Sequence, residues 1–89
     1  MNNKEKYAAL AVRANNFAHQ IRQAHRDVNN AVGTPRLSSV VSFHKKNLSA
    51  KAESIRNNAK RLGLEVKLYR PDTPEYFATL ANMARNKAR

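Results

Sequence analysis

The chain predicts a mainly α fold: a long antiparallel helical hairpin, a short extended segment at about 64–70 and a C-terminal helix, assembled as a symmetric oligomer. Three observations carry this expectation. Only two Gly and three Pro interrupt 89 residues, so long regular elements are expected. Two stretches carry apolar residues at heptad spacing, and a third segment alternates apolar and polar residues. The length makes one small basic domain, residues 1–89. A domain this small buries a limited share of its surface, and oligomerisation is a common remedy.

The first helix is expected over roughly Asn3–Ala31. Tyr7, Ala14, Ile21 and Val28 fall seven residues apart, and Leu10, Phe17, Ala24 and Ala31 form a second row offset by three. The two rows make one narrow apolar stripe over about four heptads. Alanine at several of these positions permits close helix approach. Gly33 stands where a helix stop belongs.

Thr34-Pro35 then reads as an N-cap followed by proline at the first helical position. The second helix is expected over about Pro35–Leu62. Val41, Leu48, Ile55 and Leu62 repeat every seven residues, and Leu37, Ala52 and Ala59 widen the stripe. Gly63 is placed to end it. A turn near Val32–Thr34 leaves little connecting chain, which favours antiparallel neighbours. A competing pattern lies in Leu37–Phe43, where Ser38-Ser39-Val40-Val41-Ser42-Phe43 is rich in β-formers. It would move the helix start to Asn47 or Ser49; the proline cap and the heptad row favour the longer helix.

Leu64-Glu65-Val66-Lys67-Leu68-Tyr69-Arg70 has the period of a strand with one buried face. A lone strand leaves backbone groups unpaired. The segment is therefore expected to pair across a two-fold axis, pair with Leu37–Phe43, or lie as an extended connection on the hairpin. The final helix opens at Asp72-Thr73-Pro74-Glu75, with a cap, a proline in the first turn and an acid at the positive end of the dipole. Tyr76, Phe77, Leu80, Ala81, Met83 and Ala84 mark its apolar face, and Arg85, Lys87 and Arg89 close it. Tyr7, Phe17, Tyr76 and Phe77 are expected in the core. Tyr69 lies on the polar side of the extended segment.

The charge is the functional clue. Seventeen Lys and Arg stand against six Asp and Glu, a formal +11. The excess is uneven: residues 1–33 carry +3, residues 34–63 carry +6 and residues 64–89 carry +2. The second helix is thus the expected electrostatic contact element. Lys45, Lys46, Arg56, Lys60 and Arg61 are the informative set among its seven cations, and Glu53 is the one acid among residues 34–63. An ordinary solvated face mixes signs. Arg22 and Arg26, with His19 and Asn15, make a second polar ridge on the first helix. Eleven asparagines include four Asn-Asn pairs; of these, Asn57-Asn58 sits among the cations of the second helix, and Asn57 joins the expected contact set. A face built from Lys45, Lys46, Arg56, Asn57, Lys60, Arg61, Arg22 and Arg26 has the charge and donors to track a phosphate backbone.

Other chemistry finds little support. Without cysteine there are no disulfides, thiolates or zinc-finger sets. His19 and His25 are six apart and project to different sides of a helix, and His44 is remote, so no metal spacing arises. Two glycines make no phosphate-cradling loop, and no carboxylate pair is recognisable. The chain is read as non-catalytic and cofactor-free. It has no apolar run of signal-peptide or membrane-spanning length, and is expected in the cytoplasm of a cell or an infected host.

The expected function is non-catalytic nucleic-acid binding, DNA ahead of RNA because of the rigid helical scaffold. The alternative is a small regulator or inhibitor, of a kind phages and plasmids encode, whose basic face docks on an acidic protein. A third reading is a helical oligomer that holds nucleotide phosphates between subunits. A homodimer or higher symmetric oligomer, without membrane contact, is expected throughout.

Overall fold

The structure, a computed structural model, describes residues 2–89. It contains three helices: α1 (Asn3–Ala31), α2 (Leu37–Arg61) and α3 (Pro74–Ala88).

α1 begins where Asn2 caps it, its side chain accepting from the Glu5 amide at 2.9 Å. It ends at Gly33, whose φ of +82° suits glycine. The Thr34 hydroxyl donates to the Ala31 carbonyl at 2.7 Å and accepts from the Arg36 amide at 3.3 Å. Thr34 thus closes α1 as much as it opens α2. For this reason α2 starts at Leu37 rather than at Pro35, with Arg36 at the cap position and no side-chain cap bond. The β-formers of Leu37–Phe43 are helical. Leu37 and Val40 are half-buried, so tertiary contact overrides their strand preference.

α2 ends in a Schellman motif. The Leu64 amide donates to Ala59 at 2.9 Å, the Gly63 amide donates to Lys60 at 3.0 Å, and Gly63 takes φ +77°. Leu64 and Ala59, the apolar pair of that motif, are both buried.

The expected strand at 64–70 does not form; among the described residues there is no strand at all. With Leu37–Phe43 helical, no second strand is offered within the chain. The segment runs instead as a connection from α2 to α3. Its alternation survives only in part: Leu64 and Val66 are buried against the helices, while Leu68 is 85% exposed.

α3 opens as its sequence indicates. The Thr73 hydroxyl accepts from the Tyr76 amide at 3.1 Å, Pro74 occupies the first turn and Glu75 lies beside it.

α1 is the spine of the molecule. Cross-helix hydrogen bonds join Tyr7 to Leu62, Arg13 to Ser54, Lys51 to Gln20, and His44 to Asp27. Numbers rise along α1 as they fall along α2, so these two helices run antiparallel. α3 packs on the adjacent side of α1 and makes the more extensive contact. The Phe17 and Phe77 rings meet edge to face at 4.7 Å, and Arg85 and Ala88 lie by Ala8 and Val12, so α3 also runs antiparallel to α1.

This arrangement widens the stripe on α1. Ala11 and Ala18, outside the two heptad rows, are buried, because α1 has two neighbours on adjacent faces. Their small side chains let α3 approach closely. Phe17, Phe77, Leu10 and Leu80 are the largest fully buried side chains. Tyr7, expected in the core, is half-buried and donates to the Leu62 carbonyl at 2.9 Å.

The core occupies only one half of the molecule. α3 begins at Pro74, three residues before the Phe77 ring that meets Phe17, so it covers α1 only to about the level of Ile21. Beyond it α1 and α2 continue as a two-helix arm. In that arm α2 buries no residue between Leu37 and Lys51, and its buried set is Ala52, Ile55 and Ala59. The heptad row expected to be core throughout is therefore core only at Ile55: Val41 is 41% exposed, and Leu48 and Leu62 are half-buried. The molecule measures 49 × 19 × 19 Å and its radius of gyration is 14.5 Å. A compact chain of this length would have about 12 Å.

Candidate nucleic-acid interface

Helical spacing places each cation. At about 100° per residue, Lys46, Asn57 and Lys60 share the side of α2 opposite its contacts with α1. Lys45 and Arg56 flank them toward the connection to α3, and Arg61 flanks them on the other side. All but Arg56 are exposed. Lys46 and Lys60 are fourteen residues apart, about 21 Å along the axis.

Arg22 and Arg26 do not join this face. The α1 residues bonded to α2 are Tyr7, Arg13, Gln20 and Asp27. Arg22 and Arg26 lie roughly half a turn away from that side, on the opposite flank of a molecule 19 Å thick. Both are exposed, and Arg26 donates to Gln23 Oε1 at 2.6 Å. The eight expected residues thus form two faces: six on α2 and two on α1.

The α2 face is electrostatically open. Among the described residues, Arg56 is the one Lys or Arg paired with a carboxylate, and its partner is Asp72. Asp72 sits in the connection at φ +71°, a left-handed conformation that Asp tolerates better than most residues. Part of the Arg56 charge is therefore already answered. Its guanidinium ties the connection to α2 and lies near Tyr76, whose phenol it pulls down against the stronger upward push of burial.

A groove beside this face is lined by Arg56, Asn57, Lys60, Gly63, Leu64, Glu65 and Tyr76. Glu65 places an acid at its edge and, with Glu53, tempers the positive potential. Lys45 faces a different cleft, shared with His25, Leu48, Ser49 and Asp72. Glu53 lies midway between Lys46 and Lys60 on their own heptad row, so the least compensated stretch is Asn57, Lys60 and Arg61 at the end of α2.

The pairing of Asp72 with Arg56 carries no sequence signal, since it depends on where an irregular connection folds back. Lys51, a cation outside the expected contact set, donates its ammonium to Gln20 Oε1 at 3.2 Å and so faces α1. Comparison with family models, curated proteins and solved structures found no match for this chain. Among the described residues, no helix is long and apolar enough to cross a membrane.

Proposed function

We propose that this chain binds nucleic acid without catalysis, through phosphate contacts along the outer face of α2. The observation that carries the reading is a row of exposed cations on one side of a 25-residue helix, with Arg56 the one that a carboxylate holds. Phosphates ask only for positive charge and donors at regular distances. A 21 Å row spans about six phosphates of one duplex strand at about 3.4 Å each. The α1–α2 pair makes this row rigid, which favours a duplex over a flexible single strand. Few exposed aromatic rings lie beside it, which argues against a stacking platform.

Fluorescence anisotropy with a labelled duplex across a salt series tests the reading. Replacing Lys46, Lys60 and Arg61 together by Gln should weaken binding to every sequence and flatten the log–log salt slope by about 2.7, at about 0.9 per phosphate contact. Arg22 and Arg26, on the other flank, should tolerate the same change with little loss. Failure to bind any duplex or single strand at low salt would sink the proposal and move the case to an acidic protein partner.

A further inference from the structure

We propose that the distal arm, Val28–Phe43, is the surface through which two copies of this chain associate. Three independent observations meet there.

First, the arm exposes apolar residues that a third helix covers elsewhere. Val32 is 63% exposed and Val41 41%, although Val41 belongs to the same heptad row as buried Ile55. The rows continue; α3 does not.

Second, the arm is nearly free of charge. Arg36 is the one charged residue among the sixteen of Val28–Phe43, in a chain where Asp, Glu, Lys and Arg make up 26%. The Asp27–His44 contact, at 3.1 Å, bounds this neutral stretch. Charge depletion is the composition of an interface core. It also selects the occupant. A two-fold interface sets a patch against itself. On a +11 chain most patches would repel their own copy, whereas this one would not. A polyanion or an acidic protein would instead find its cations on the outer face of α2.

Third, the area fits. The chain exposes 6221 Å². A compact monomer of its mass would expose about 5,300 Å², leaving roughly 900 Å² in excess. A standard interface buries about 800 Å² per partner. Arm-to-arm packing builds a four-helix unit at the centre, with a three-helix head at each end and both α2 cation rows outside.

Sedimentation equilibrium of nuclease-treated protein, freed of nucleic acid, tests this between about 1 and 300 µM, the range in which a modest dimer forms. The full chain should pass from one-chain to two-chain mass. V32E and V41E should stay at one-chain mass with helical circular dichroism intact. Where a glutamate variant unfolds, V32S and V41S replace it and should raise the dissociation constant at least tenfold. L68E, which alters an exposed apolar residue outside the arm, should dimerise as the unmodified chain does. A one-chain mass over the whole range overturns the proposal. So does a dimer that survives the arm substitutions, or one that L68E abolishes.

Discussion

Ile55 and Val41 stand two heptads apart on one row of α2, and the structure assigns them opposite roles. Ile55 is 3% exposed and packs in the core; Val41 is 41% exposed on the arm. Ile55→Ala removes three carbons, about 2.4 kcal/mol of transfer at about 0.8 each. The cavity left behind raises the cost to about 3–4 kcal/mol, less a few tenths for alanine's better helix propensity. Val41→Ala removes two carbons that are already about half in water. Its cost of at most about 1 kcal/mol is nearly cancelled by the propensity gain. A domain of this length has a total stability of about 4–13 kcal/mol, so the first change is severe and the second slight. At about 4–8 °C per kcal/mol, Ile55→Ala should lower Tm by about 12–32 °C and Val41→Ala by no more than about 4 °C. Urea denaturation followed by circular dichroism near 1 µM, where self-association is suppressed, gives both free energies, with m as the check on two-state behaviour. Equal losses at the two positions would refute the division into core and arm. An Ile55→Ala cost below about 1 kcal/mol would refute the packing of α2 itself.

Other outcomes follow from the caps and from one shifted group. Gly63→Ala meets no neighbouring atom but must hold φ +77°, and should cost about 1–2 kcal/mol in chemical denaturation; a neutral result would mean that the α2 terminus rearranges freely. Thr73→Ala removes the hydroxyl that caps α3 and should cost about 1 kcal/mol, with Thr73→Ser restoring most of it. The Tyr76 phenol is raised above its ordinary value by burial, reinforced by Asp72 and Glu65 and opposed by Arg56. Folding therefore favours the neutral phenol: its contribution is fully present below pH 10 and is lost as pH rises beyond the unfolded value. Tyr76→Phe should lose less stability than the unmodified chain between about pH 9 and 11, measured by urea denaturation at each pH. Identical losses would show that Tyr76 ionises equally well in both states.

The helices and their ends were legible in the sequence because local chemistry decides them. α1 spans the expected Asn3–Ala31. Gly63 ends α2, and Thr73-Pro74 opens α3, since a left-handed residue or a capping hydroxyl acts within one turn. Leu64–Arg70 was legible only in part: of its three expected placements the connection on the hairpin is the one found, and no strand forms. Its alternation is real, but a strand needs a partner, and the only internal candidate is helical. The cations were equally legible as a set; their division between two flanks was not, because helical spacing is measured against a contact side that only packing defines. Arg56 looked equivalent to Lys60 until the connection brought Asp72 onto it.

The sequence by itself determined that this chain is helical, where most of its helices begin and end, and that residues 34–63 carry +6 of the +11 charge beside an apolar row. Tertiary structure alone decided how much of that row is core. A heptad pattern states that a face is apolar; it does not state what covers it. Here α3 is too short, at 15 residues, to line the whole of α1, and the alanines at 11, 14 and 18 seat it against one end. The same pattern therefore builds a core in one half of the molecule and an open apolar arm in the other.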